Sequence, residues 1–328
     1  MLILTDDDVA KLLTMPEAIA ASRQAYVALA EGRVHVPLRH HVPAADGGVG
    51  LVMPGYVPEA QGYGVKFVSV MPANRDRGLP VTLGTMMLFD PATGVPLALI
   101  AATYLTAFRT GAGTGVATDL LARPDAAELA IIGTGGQADA QVWAVLAVRP
   151  VTHVRVYNRT RAKAEDFCRR HQGARNRDGQ EVSFAVVDSP QEAVEPADIV
   201  VASTNVYTPV VRGEWLKPGC HVNGIGSHDP RMQELDEETI RRASVIAVDS
   251  RAGALVPGDL SIPLKQGIVR ESDIVEIGLI AQGKHPGRRS AEEVTVFKSV
   301  GHASQDLVTG RMVYEKALAA GIGQAVSL

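Results

Sequence analysis

Cysteine is nearly absent from the 328-residue chain: Cys168 and Cys220 stand alone and form no CxxC pair. A disulfide framework or a cysteine-ligated zinc site therefore has nothing to build on, and two reduced thiols are expected. Aromatic residues make up 5% of the chain. No apolar run approaches the ~20 residues of a membrane-spanning helix. Charge of one sign is lacking too, since 32 Lys and Arg oppose 36 Asp and Glu for a formal charge of −4. Without a basic run beyond Arg-Arg pairs, the footprint of a nucleic-acid binder is missing. His35, His40 and His41 form one histidine cluster, but no second group of ligands stands at a zinc-site spacing, so no metal is expected. The opening MLILTDDDVAKLL carries no charged leader before an apolar core. A cytoplasmic protein, associated with neither membrane nor nucleic acid, is the expectation.

What is present is an ordinary globular composition, 46% apolar and 21% charged, in a chain long enough for two domains at ~150 residues each. Residues 5–31 read as helix: Thr5 can cap a short first piece, and Thr14 with Glu17 has the spacing of a capping box, with Pro16 in the first turn. From about 34 to 101 the text turns into short β-rich runs, GVGLVMPGY, YGVKFVSVM, TLGTMMLFD and VPLALIAAT, the last two joined by the turn residues Asp90 to Gly94. A helical segment, TYLTAFRTGAGTGVATDLLA, then runs to Arg123-Pro124, which reads as a domain boundary. Beyond it strand and helix alternate: AELAIIG, Gln137 to Val148, HVRVYNR, Thr160 to His171, VSFAVVD, DIVVAST, CHVNGIG, ELDEETIRRA and SVIAVDS. The expected fold is α/β, with a Rossmann-type doubly wound parallel sheet in 124–302. An α+β domain is expected from 1–123 and 303–328, the helix near 303–320 folding back onto the first domain.

The most specific local signal is Gly133-Thr134-Gly135-Gly136-Gln137-Ala138, a G-x-G-x-x-A that follows an apolar strand and opens a helix. Gly133 permits the tight turn, Gly135 lets backbone amides approach a pyrophosphate, and Ala138 allows the helix to pack closely on the strand. An NAD-selective site usually places Asp or Glu about 20 residues on, at the end of the second strand. Here that position reads Asn158-Arg159-Thr160. No carboxylate repels a ribose phosphate, and Arg159 with Thr160 can grip one, so NADP(H) is favoured and NAD(H) possible. Ser203, Thr204 and Asn205, and later Asn223 to Gly226, follow strands at the ends where such sheets bind ligands.

In the first region Arg39, Lys66 and Arg109 stand out. Lys66 lies between apolar residues on an expected strand, where an unpaired ammonium is expensive, so it requires an anionic partner. With the glycine turn, the ordered segments VPLRHHV, VMPGY, GVKFVSV, LTAFRTGAGTGVAT, IIGTGGQA, NGIGSHDPRMQELD, Gly258-Asp259-Leu260 and VFKSVGHASQD resemble the ornithine cyclodeaminase/mu-crystallin family along nearly the whole chain. The resemblance implies a substrate and dimerisation domain built from both chain ends around a central dinucleotide domain, two subunits joining their sheets. It also implies an oxidoreductase acting on amino acids or their imines. Arg39, Lys66 and Arg109 match the residues that hold the substrate carboxylate, Thr110 a position beside the ligands, and Ser299 to Gly301 a segment near the nicotinamide.

Two departures narrow the reading. Where cyclodeaminases carry a proton-transferring aspartate, two residues after the glycine matching Gly226, this chain has His228, in a register fixed by Glu234-Leu235-Asp236. Ornithine also needs an acid for its distal ammonium, and Gly48 to Tyr56 offers none, with Met53 at that place. The chain accordingly looks nearest the mu-crystallin-like ketimine reductases. The expected activity is NADPH-dependent reduction of a cyclic ketimine carboxylate such as pyrroline- or piperideine-2-carboxylate. Arg39 and Arg109 would anchor the carboxylate, and Lys66 and His228 are the candidate acids. An alanine dehydrogenase-like enzyme, an ornithine cyclodeaminase-type ammonia-lyase and a non-enzymatic NADPH-binding protein are the alternatives.

Overall fold

The computed structural model describes residues 1–327. Its elements run β1 (Leu2–Leu4), α1 (Asp6–Leu12), α2 (Met15–Ala30), β2 (His40–Pro43), β3 (Val49–Val57), β4 (Gly62–Val70), β5 (Thr82–Phe89), β6 (Pro96–Ala101) and α3 (Thr103–Leu121). Then come β7 (Glu128–Ile132), α4 (Ala138–Val148), β8 (His153–Tyr157), α5 (Arg161–Arg170), β9 (Ser183–Val186), α6 (Pro190–Val194), β10 (Ile199–Ala202) and β11 (His221–Gly224). The remainder comprises α7 (Glu237–Arg242), β12 (Ala243–Val248), α8 (Arg251–Ala254), α9 (Gly258–Lys265), β13 (Ile274–Glu276), α10 (Ile277–Ala281), β14 (Val294–Lys298), α11 (Ala303–Ala320) and β15 (Gln324–Ala325). No helix among the described residues is long and apolar enough to cross a membrane.

The chain forms two compact units, Met1–Arg109 with the segment from His302 onward, and Thr110–Gly301. The division falls inside α3 rather than after it at Pro124. Gly111 accounts for this: a Cβ there would lie 2.9 Å from the Ala140 side chain, so the second half of α3 packs against α4 too closely for any other residue.

In the first unit a mixed sheet has the order β15-β1-β6-β5-β4-β3-β2. Only β1 and β6 run parallel among the described pairs. Asp90 makes the β5–β6 turn by accepting the amides of Ala92 and Thr93, at 3.0 and 2.8 Å. Strand alternation divides β4 cleanly: Gly62, Gly64, Lys66 and Val68 are buried, while Tyr63 and Phe67 face outward. The buried face is covered by α11, which also packs on α2. Gly62 permits this approach, since a Cβ there would meet the Leu307 carbonyl oxygen at 3.0 Å.

The helix caps differ from expectation at one point. Thr5 caps α1 in a reciprocal box with Asp8, its hydroxyl accepting the Asp8 amide at 3.2 Å while the Asp8 carboxylate accepts the Thr5 amide at 3.0 Å. Thr14 makes no such cap on α2. Its hydroxyl donates to Glu17 instead, and Glu17 is drawn to Lys316 Nζ at 2.5 Å, so the carboxylate that would complete the box is engaged elsewhere.

The second unit is a parallel sheet with the order β13-β12-β14-β11-β10-β7-β8-β9. From β7 the chain first moves one way to β8 and β9, then returns to β10 on the other side. The carboxyl ends of β7 and β10 therefore flank a topological switch point, where ligands bind in open α/β sheets. β14 sits in the middle of this sheet, between β11 and β12, a place the reading of residues near Phe297 did not foresee.

Candidate functional site

The first unit gathers its buried charges around one carboxylate. Lys66 projects from the covered face of β4, opposite Met53 of β3, and its side chain is 1% exposed. Its ammonium lies 2.6 Å from Asp306 Oδ1 in the first turn of α11. Arg109 of α3 donates from Nε to the same oxygen at 2.8 Å and from Nη1 to Gln305 Oε1 at 3.4 Å. Gln305 is oriented by the helix end, its side chain accepting the His302 amide at 3.3 Å. Burial, together with the charges of Arg109 and Arg39, pushes Lys66 down to about 7, although Asp306 opposes the shift. Burial acts to raise Asp306, but Arg109 and Lys66 outweigh it and hold the carboxyl below its ordinary range. Asp306 Oδ2 is buried with no hydrogen-bond partner among the described residues. Arg39 is half-buried, and near enough for its charge to act on Lys66. Met53 is buried, so β3 brings no carboxylate to this cluster.

Asp306 is the anionic partner that Lys66 required, and sequence reading did not name it. The signal was available: an acid inside the apolar face of an amphipathic helix raises the same question as a lysine inside a strand.

In the second unit Gly133 leaves β7 with φ of +95°, a left-handed conformation that favours glycine. A Cβ there would stand 2.7 Å from Thr204 Cγ2 and 2.9 Å from the Ser203 carbonyl oxygen, so the glycine also lets the two strand ends meet. At Gly135 and Gly136, by contrast, a Cβ would meet nothing within 4 Å. Thr134 Oγ1 and Gln137 Oε1 are buried without partners among the described residues. Open backbone beside the unanswered Thr134 hydroxyl, a donor, ahead of α4 and its fully buried first residue Ala138, fits a dinucleotide pyrophosphate, whereas the Gln137 amide oxygen, an acceptor, calls for a donor. Asn158 buttresses the turn, its Oδ1 accepting the Thr134 amide at 3.3 Å and its Nδ2 donating to the Thr160 carbonyl at 2.9 Å. Arg159 is exposed and makes no hydrogen bond or ion pair with the described residues. Thr160 stands at the N-cap of α5 without a side-chain cap bond.

The remaining candidates lie on loops held by buried carboxylates. Glu234 accepts the amides of Thr204, Gly226 and Ser227 at 2.5, 2.6 and 3.0 Å, and the Thr204 hydroxyl at 2.7 Å. Gly226 again leaves room for Thr204, whose amide nitrogen and carbonyl oxygen crowd its Cβ position. Asn205, next along, is exposed. His228 is exposed, with Nδ1 at 3.0 Å from the Gly226 carbonyl; a carbonyl only accepts, so Nδ1 carries the proton. The Ser299 hydroxyl and the Gly301 amide both donate to Asp249, at 2.7 and 2.6 Å. Thr110 follows Arg109 on α3, in the second unit. Sequence reading missed Glu234 and Asp249, because carboxylates that bind backbone amides leave no spacing signature.

A glycine-rich turn at the switch point of a parallel sheet and a buried cluster of cations are features of a dinucleotide-dependent oxidoreductase. The chain belongs to the ornithine cyclodeaminase/mu-crystallin family, whose sequence profile matches residues 1–321. It is similar to a Delta(1)-pyrroline-2-carboxylate reductase of Bacillus cereus, 41% identical over 99% of both chains. The structure of Thermococcus litoralis Delta(1)-pyrroline-2-carboxylate reductase, in complex with NADH and L-proline, superposes with a TM-score of 0.94 at 40% identity, covering 99% of this chain and 100% of that one. An archaeal alanine dehydrogenase dimer with bound NAD superposes at 0.91 and 34% identity, covering 100% and 99%. The chain is thus an NAD(P)H-dependent oxidoreductase acting on carbon–nitrogen bonds.

Proposed function

We propose that the protein reduces a cyclic ketimine carboxylate, pyrroline-2-carboxylate or piperideine-2-carboxylate, to the cyclic L-amino acid with NADPH. The observation that carries this reading is the cluster of Lys66 and Arg109 on a single carboxylate oxygen, with Arg39 beside it. Its cations exceed its anions, so it suits an incoming carboxylate, and the missing acid at Met53 disfavours a diamino substrate. Arg39 and Arg109 anchor the substrate carboxylate and so fix the adjoining C=N bond. Lys66 donates a proton to the ring nitrogen, which makes the neighbouring carbon a better hydride acceptor. When bound, the dinucleotide supplies that hydride. The Thr134 hydroxyl would hold its pyrophosphate, with the amides of Gly135, Gly136 and Gln137, while Ser203, Thr204, Asn205, Gly226, Ser299 and Gly301 would frame the nicotinamide side. His228 serves as a second proton carrier at the exposed loop. NADPH is preferred over NADH because Asn158-Arg159-Thr160 offers an unpaired guanidinium and no carboxylate.

A homodimer in the cytoplasm completes the proposal. The outward face of the first unit's sheet carries Tyr63, Phe67 and Leu83, each more than two-fifths exposed, and a second copy would cover it. Two free cysteines suit a reducing compartment.

The test is oxidation of NADPH with each cyclic imine, with pyruvate plus ammonia, and with ornithine under ammonia detection. Rapid turnover of a cyclic imine is expected. Ammonia release from ornithine with catalytic dinucleotide, and no imine reduction, would refute the proposal.

A further inference from the structure

The donor and acceptor count around Asp306 specifies more about the ligand than its charge. Lys66 has three N–H donors and spends one on Asp306 Oδ1, so its other two need acceptors. Oδ1 is filled, receiving Lys66 and Arg109 together, whereas Oδ2 is buried with no donor among the described residues. A buried carboxylate oxygen left unpaired is costly. The cluster is therefore incomplete in two opposite senses: it wants an acceptor beside Lys66 and a donor beside Asp306 Oδ2. A carboxylate alone answers the first demand and worsens the second. A molecule bearing a carboxylate and, one carbon away, an N–H answers both.

Resting on the imine-reductase reading above, we propose that Asp306 Oδ2 accepts a hydrogen bond from the substrate's ring nitrogen, so that Asp306 is the residue that selects nitrogen over oxygen at that position. The N–H that the ring nitrogen carries once Lys66 has protonated it, and the ammonium-type N–H of the product, both satisfy it. The carbonyl oxygen of a 2-oxo acid, or an ether oxygen in a ring, presents lone pairs to a carboxylate and is repelled. Arg109, tied to Oδ1, keeps the carboxylate ionised and turned so that Oδ2 stays available.

The test compares two ring acids of nearly the same shape, L-proline and tetrahydrofuran-2-carboxylate, as ligands of the full-length enzyme loaded with oxidised dinucleotide. Calorimetry should give at least ~100-fold tighter binding of proline, in line with sites that hydrogen-bond a specific group. Asp306→Asn should bring that ratio below about tenfold, with thermal unfolding recorded to confirm that the variant is folded. The wild-type ratio stands without any variant. Equal affinities in the wild type, or tighter binding of the ether acid, would overturn the assignment. If the wild type also reduces cyclic imines, only the role of Asp306 falls. If it reduces none of them, the functional reading itself has failed.

Discussion

Each unit of this molecule buries one lysine completely, and the two surroundings are opposites. Lys298, at the end of β14, has its ammonium 3.0 Å from Asp259 Oδ2, 2.8 Å from the Ser227 carbonyl and 2.7 Å from the Ser227 hydroxyl. Its three donors are accounted for, and Asp259 is saturated in turn by Ser227 and by the amides of Glu234 and Leu235 at 2.6 and 3.0 Å. Lys66 has one partner, shared with Arg109, and that partner has an oxygen to spare. A buried charge whose valences are all filled is a cross-link. One with donors and an acceptor left over is shaped for a ligand, and its depressed pKa is the usual mark of such a place.

The contrast predicts opposite phenotypes for the same substitution. Lys66→Met should lower turnover of a cyclic imine by about 10³-fold, the middle of the range for losing a general acid, and leave dinucleotide affinity within about twofold by fluorescence titration. Normal turnover would remove Lys66 from the chemistry. Lys298→Met strands Asp259 next to Glu234, so denaturant unfolding should show a loss of about 3–5 kcal/mol. A variant as stable as the wild type would contradict the cross-link.

Much of this is legible in the sequence. Alternating strand and helix text located the parallel sheet, and the glycine turn and Asn158-Arg159-Thr160 stand at the ends of β7 and β8 as read. Lys66 announced itself as a cation among apolar residues. Its partner was not legible, because Asp306 lies 240 residues away and only the fold brings α11 over β4. Lys298 and Asp259 were hidden for the same reason, although VFKSV poses the same puzzle as GVKFV. Thr14 shows the converse: a local cap motif that a distant lysine, Lys316, diverts.

The smaller effects sharpen the contrast. Arg159→Ala should weaken NADPH binding by about 10–100-fold and leave NADH within about twofold, since only the extra phosphate loses its charge-assisted bonds. Equal losses for both would place Arg159 elsewhere. With Lys66 pushed down to about 7, its donating ammonium prevails below that pH and gives way to the amine above it. The value of kcat/KM for imine reduction should therefore fall about tenfold per pH unit above roughly 7. A flat profile to pH 9, about two units above that value, would exclude Lys66 as the titrating acid. His228→Ala should cost the least, about threefold in kcat, and should keep the same alkaline limb. Loss of that limb in the variant would move the proton from Lys66 to His228.

Hydride delivery to the carbon held beside Lys66 is the central claim, and isotope transfer tests it most directly. Pyrroline-2-carboxylate is reduced with NADPH carrying deuterium at the nicotinamide C4, both faces labelled, and the proline is examined by NMR. The account predicts one deuterium on the carbon between nitrogen and carboxylate, in the L product. Unlabelled proline, or no proline, would contradict it.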